Sequence, residues 1–191
     1  MKKLLHFSLL TFALIFSGQS FARAGELLFG EGDKWVVFQG PIRTKEMDGL
    51  LSQLDDKKPK LILLNSIGGN VSGAIRFAQY VRENEMNTWI AEKQTCASAC
   101  ALVFLAGIQR FSEGKLVVHQ YLPPAEQANE KIVRDAAWIS VQRIIGETIT
   151  LLNSFGTPRF VFERIFSSPD LYEFTEAEMA KLTTVNSLDE M

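Results

Sequence analysis

The sequence predicts an α/β fold in which parallel strands alternate with helices, and three features carry the prediction. A continuous apolar run, Leu61-Ile62-Leu63-Leu64, leads into a small-residue loop and then a helical pattern, the order of strand, turn and crossover helix. That order recurs once, through the strand near 88–91, the turn over 95–99 and the helix over 100–105, with a further strand over 115–119. A long apolar stripe at helical spacing follows the second unit. Composition agrees, since 191 residues that are 47% hydrophobic and 22% charged are ordinary for one globular domain. No run reaches the ~20 uninterrupted apolar residues of a spanning helix. A net charge of -2 supplies no broad basic face for nucleic acid.

Residues 1–24 read as an export signal rather than as part of the fold. Lys2 and Lys3 precede a mostly apolar run over 4–16, and Ala22-Arg23-Ala24 supplies the small residues that a signal peptidase needs. Cleavage after Ala24 leaves one domain over 25–191, 167 residues long, and removing Lys2, Lys3 and Arg23 takes the net charge from -2 to -5. The expected location is periplasmic or secreted, with no stable membrane span after cleavage. An uncleaved anchor is the alternative, for which the apolar run is short.

Within the domain, Glu26–Phe29 and Trp35–Gln39 read as two short strands, and Gly40-Pro41 breaks the pattern. Thr44 can cap a helix over 44–54, and the charged stretch 55–60 is a solvated turn into the strand 61–64, expected to be buried on both faces. After Asn65-Ser66-Ile67-Gly68-Gly69-Asn70 come a helix over 71–83 and a strand near 88–91, a unit that sets strands in parallel through a right-handed crossover. Residues 95–99 form a second small-residue turn, 100–105 an apolar helix stopped by Gly107, and 115–119 a strand. Past Leu122-Pro123-Pro124, a helix over 129–154 aligns Val133, Ala136, Ala137, Val141, Ile144, Ile145, Ile149 and Leu152 in one stripe. Such a stripe covers a sheet or meets another subunit. Short helices over 158–166 and 175–181 and a last strand over 183–186 complete the chain.

Four features could carry chemistry. Export favours a disulfide between Cys96 and Cys100, whose spacing suits an extended segment turning into a helix, where Cα atoms come within roughly 7 Å. One histidine in the mature chain and two cysteines leave a closed zinc site short of ligands. Gly68-Gly69 can turn backbone N–H groups toward an oxyanion or phosphate; it equally suits a tight turn with positive φ, with Asn70 capping the next helix. Ser98 lies at a strand-to-helix turn between two alanines, with room for substrate; a helix cap or small-residue packing is the other reading. A Cys96–Cys100 bridge would straddle Ser98 and fix its turn. His119 ends the strand Leu116-Val117-Val118, and because His6 leaves with the signal, any serine-histidine mechanism must use it. A strand-end histidine bonded to backbone is its alternative.

The order of these pieces, Asn65-Ser66-Ile67-Gly68-Gly69, then Ser98-Ala99 opening an apolar helix, then Val118-His119-Gln120 and a long helix, resembles the Clp protease proteolytic subunit family and its crotonase-like superfold. The resemblance covers residues 35–186 and extends to exported Clp-like bacterial proteins that share Cys-x-Ser-x-Cys. It implies a repeated β-β-α spiral with a long helix after the histidine strand. It also implies a serine hydrolase, a peptidase acting on a peptide or protein substrate without metal or cofactor. Carried over position by position, Ser98 is the nucleophile, His119 the general base and then acid, and the Gly69 and Ala99 N–H groups the oxyanion hole, with Gly68 in support. Ile67 stands where the family usually has proline. Tyr172 falls on the position of the third triad member, an aspartate, and Asp170 two residues earlier is the candidate to orient His119 after a local shift; a turn or cap is its other reading.

Two further hypotheses follow from the same residues. A non-catalytic relative would keep the fold for binding or assembly, with the 129–154 helix making homo-oligomer contacts. An acyl-CoA enzyme would use the glycine loop to hold an enolate, and export from the cytosol, where coenzyme A resides, argues against it.

Overall fold

The computed structural model describes residues 25–121, 131–167 and 169–190. The expected export signal over 1–24, Leu122-Pro123-Pro124 and the first two residues expected of the long helix lie outside the described residues. In chain order the elements are β1 (Glu26–Phe29), β2 (Trp35–Gln39), α1 (Thr44–Lys57), β3 (Leu61–Asn65), α2 (Val71–Glu83), β4 (Asn87–Ile90), β5 (Thr95–Ala97), α3 (Cys100–Ala106), β6 (Arg110–Ser112), β7 (Lys115–Val118), α4 (Lys131–Ser154), α5 (Arg159–Phe166), β8 (Tyr172–Glu173) and α6 (Glu176–Met179).

The domain is α/β, with two mixed sheets. The larger has five strands in the order β1-β2-β3-β4-β6, the smaller three in the order β5-β7-β8. In the larger, β1 runs antiparallel to β2 and every other pairing is parallel. In the smaller, β5 and β7 are parallel and β8 returns antiparallel to β7. The chain visits both sheets before each later helix: β4, β5, then α3, and β6, β7, then α4. Single bridging residues extend that order upstream, where Ser66 after β3 pairs with Cys96 and Ile42 after β2 pairs with Gly69.

Packing explains where the strands depart from expectation. Val36, Phe38, Ile62, Leu64 and Ile90 are buried, with Phe38 meeting Phe77 of α2 edge to face at 5.1 Å. Leu61 and Leu63, expected to be enclosed on both sides, are half-buried on the face they share with the exposed Trp35. The β3 run therefore alternates in burial: helices cover one face of the sheet and leave the other partly open to water. All seven residues of α3 are buried, which is why that helix is apolar all round. Thr88, fully buried on β4, donates from its hydroxyl to the Phe104 carbonyl at 2.8 Å, so its burial leaves no donor unmet.

Two further differences have local causes. Helix α1 runs on to Lys57 and ends with Lys58 in the left-handed region at φ +51°, so the charged stretch begins as helix and not as a turn. No strand forms over 183–186. Thr184 N–H does donate to the Arg110 carbonyl at 2.9 Å, but Arg110 N–H is met by the Thr184 hydroxyl at 2.8 Å, and a side-chain acceptor ends the ladder. Along α4 the stripe is split. Val141, Ile144 and Leu152 are buried, Ala137 and Ile145 half-buried and Ile149 exposed, while the Val133 and Ala136 side chains lie outside what is described; beside the stripe, Trp138 and Ile139 face solvent, 60% and 67% exposed. Among the described residues, no helix is long and apolar enough to cross a membrane.

Candidate active site

The site is built where the two sheets are stitched together. Ser66 N–H donates to the Thr95 carbonyl and Ala97 N–H to the Ser66 carbonyl, both at 2.8 Å, fixing the glycine loop against β5. The Ser66 hydroxyl then accepts from Gly68 N–H at 3.0 Å. Gly68 and Gly69 have φ of +88° and +140°, values that require glycine, and Asn70 caps α2 by accepting from Gly73 N–H at 2.9 Å. The turn and cap readings of this loop are both realised. Gly69 N–H nonetheless donates to no acceptor among the described residues.

Ser98 follows β5 and precedes α3. Its N–H donates to the Val117 carbonyl of β7 at 2.8 Å, and its φ of +54° is in the left-handed region, which is costly for a residue with a β-carbon. Cys96 and Cys100 are joined by a disulfide with Cα atoms 5.2 Å apart, and both residues are fully buried. Ala99 N–H, like that of Gly69, has no acceptor among the described residues. Gly68 supports this turn by its lack of a side chain: a β-carbon there would stand 2.5 Å from the Ala97 carbonyl oxygen and 2.8 Å from Ala99 N.

His119 comes directly after β7, the strand paired with β5, so the sheet register carries it to the same end of the small sheet as Ser98. Its Nδ1 lies 2.8 Å from the Gln120 carbonyl oxygen. A carbonyl can only accept, so in the neutral ring this bond puts the proton on Nδ1 and leaves the Nε2 lone pair free, and the backbone-bonded reading of His119 is realised. Gly69, Ser98, Ala99 and His119 line one cavity of about 190 Å³, whose remaining wall is mostly apolar and includes Leu102, Val118, Ile144, Ile165 and Phe166. Thr148 of α4 and Tyr121 supply polar atoms there.

Asp170 is exposed, two residues before Tyr172 of β8, and does not line this cavity. Tyr172, at the position expected for an aspartate, pairs with Val118 and points its hydroxyl to Glu178 at 2.8 Å. Glu178 also accepts from Thr175 N–H at 3.0 Å and from Arg164, whose guanidinium stacks over the Tyr172 ring at 4.7 Å. Partial burial pushes the Glu178 carboxyl up, but the Thr175 backbone, Tyr172, Arg164 and the Thr175 hydroxyl outweigh it and hold the group at about 2. Hydrogen bonding to that carboxylate in turn raises the Tyr172 phenol. This cluster braces β8 and α5 beside the site. Among the described residues, no group of three or more His, Cys, Asp or Glu is placed to hold a metal.

Sequence reasoning identified the serine, histidine and glycine positions of this cavity and allowed a backbone bond to His119, but it did not identify Gln120 as the acceptor, Thr148 or the α5 wall. A main-chain acceptor leaves no residue signature, and α5 reaches the cavity through tertiary packing. No family model matches the chain, and no curated protein matches it.

Proposed function

We propose that the protein is an exported serine hydrolase, a peptidase of the Clp-like kind that its motifs resemble. The observation that carries this reading is the lining of one cavity by Ser98, His119, Gly69 and Ala99, the last two with N–H groups that have no acceptor among the described residues. The succession of a large-sheet strand, a small-sheet segment and a helix supports the β-β-α spiral of the superfold.

In this mechanism His119 Nε2 takes the Ser98 proton as Oγ attacks a substrate carbonyl carbon. The negative charge that develops on the carbonyl oxygen is met by the N–H groups of Gly69 and Ala99, two residues of the cavity wall. His119 returns the proton to the departing amine, leaving Ser98 acylated. Water, activated by the same imidazole, then releases the acid and restores the serine. The Gln120 carbonyl keeps the proton on Nδ1 and orients the ring, the task expected of Asp170. The disulfide accords with an oxidising compartment, periplasmic or extracellular.

Purified mature protein treated with a fluorophosphonate should gain one adduct on Ser98, and neither Ser98→Ala nor His119→Ala should do so. Absence of labelling at any pH overturns the reading. The alternative, a binding or assembly protein, is favoured by one observation: Trp138 and Ile139 expose an apolar patch on α4. In that reading the patch is a contact between copies of the chain, and a monomeric mass by light scattering would dismiss it.

A further inference from the structure

We infer that the Cys96–Cys100 disulfide is a positioning device for Ser98, setting the rate at which the serine is acylated and not only the stability of the fold. The inference rests on the hydrolase reading above. Ser98 is the middle residue of the loop that the bridge closes. Five non-glycine residues among those described have positive φ, namely Asp33, Lys58, Glu85, Lys93 and Ser98. Only Ser98 among them joins a strand directly to a helix and lines the cavity.

A left-handed residue with a β-carbon persists where its surroundings over-determine it. Three constraints act here. The Val117 carbonyl holds the Ser98 N–H, and Gly68 packs against the turn from outside. The bridge alone is covalent and ties both flanks of Ser98 together, anchoring the first residue of α3 to β5. Rotation about the Ser98 backbone would swing the Ala99 peptide plane as well as the Ser98 side chain. The nucleophile and one oxyanion donor therefore move together, and a clamp on that torsion acts on the acylation step. Cys96 and Cys100 are fully buried, so the bridge serves the turn from within the core and makes no contact that a substrate would use. Its loss should slow acylation while leaving substrate affinity almost intact.

The test is the Cys96→Ala/Cys100→Ala double variant beside Val81→Ala, a buried α2 substitution that lowers the thermal midpoint without touching the turn. At a temperature where all three proteins are folded, the fluorophosphonate labelling rate of Ser98 should fall about tenfold or more in the double variant. The probe concentration giving half-maximal rate should stay within about twofold, and Val81→Ala should label at the wild-type rate. Hydrogen exchange supplies a readout independent of activity: the Ser98 amide should exchange faster in the double variant, with the amides of α2 unchanged. If the alanine pair does not fold, Cys96→Val/Cys100→Ala, which refills part of the buried volume with apolar atoms and still lacks the bridge, serves instead. Unchanged labelling in a folded, bridge-free protein overturns the inference and leaves the hydrolase reading standing. Unlabelled wild-type protein overturns the hydrolase reading, and the Ser98 exchange rate then decides the clamp, an unchanged rate overturning it.

Discussion

Gly68 lies so close to Ser98 that a β-carbon built on it would stand 2.8 Å from the Ser98 β-carbon. The glycine loop and the serine turn are thus one packed unit rather than two loops that happen to share a cavity. The contact falls on backbone and on a short side chain, neither of which can rotate away.

Gly68→Ala should therefore damage both stability and chemistry. The φ of +88° costs alanine roughly 1–2 kcal/mol by itself, before the overlap with the Ala97 carbonyl and Ala99 N is relieved. Relief has to displace Gly69 or Ala99, the two residues whose amides would hold an oxyanion, and losing one such donor typically costs roughly 10²- to 10³-fold. Thermal unfolding and the fluorophosphonate rate, measured on the same preparation, check the two parts. A variant with a lowered midpoint and full labelling would separate the loop from the chemistry.

The Gln120 carbonyl makes a second expectation sharp. With His119 Nδ1 held by main chain, Asp170→Asn should change the labelling rate by less than about threefold, whereas His119→Ala should lower it by orders of magnitude. A triad aspartate would behave otherwise, since its loss leaves the imidazole in the wrong tautomer. Labelling kinetics of the two variants decide between a carbonyl-oriented pair and an aspartate-oriented one.

The cavity walls point to an apolar acyl group. Leu102, Ile144, Ile165 and Phe166 surround a space of about 190 Å³, so each methylene buried there should raise kcat/KM about fourfold until the space is filled. The kcat/KM of nitrophenyl esters should rise from acetate through butanoate to hexanoate, and a succinyl ester, which brings a carboxylate into an apolar wall, should be the poorest. Thr148→Leu, which narrows the cavity, should shorten the preferred chain. Equal rates along the series would show that the cavity does not receive the acyl group.

How much of this was legible beforehand depended on whether the signal was local. The apolar run Leu61–Leu64 and the small residues around Ser98 announce a strand and a turn because neighbours in sequence carry the pattern, although the turn expected over 95–99 is confined to Ser98 and Ala99, since Thr95–Ala97 pairs with β7 as strand β5. Strands β6 and β8, three and two residues long, are strands only because β4 and β7 supply partners, so no periodicity could have marked them. The one-sided burial of Leu61 and Leu63 was hidden for a related reason: composition cannot say whether helices cover one face of a sheet or both. At the site, Ser98 and His119 stood out by residue type. The acceptor behind His119 is main chain, and the cavity wall comes from α4 and α5, distant in sequence and joined to the site only by packing.

The Glu178 cluster yields a pH dependence whose sign follows from the direction of its shift. The carboxyl is held at about 2 in the folded protein, against 4.5 for an ordinary glutamate, so the folded state favours the ionised form. Its contribution to stability is complete above pH 4.5 and is lost as the pH falls from there toward 2. Tyr172, Arg164 and Thr175 all bind the charged carboxylate, so Glu178→Gln removes the charge at every pH. The variant should melt below wild type at pH 7, and the gap between the two midpoints should close as both are titrated from pH 4.5 toward 2. Because the cluster braces β8 against α5, whose Ile165 and Phe166 wall the cavity, the variant should also lose part of its preference for long acyl chains at neutral pH. A midpoint gap that persists unchanged at pH 2 would mean that Glu178 acts through packing and not through its charge.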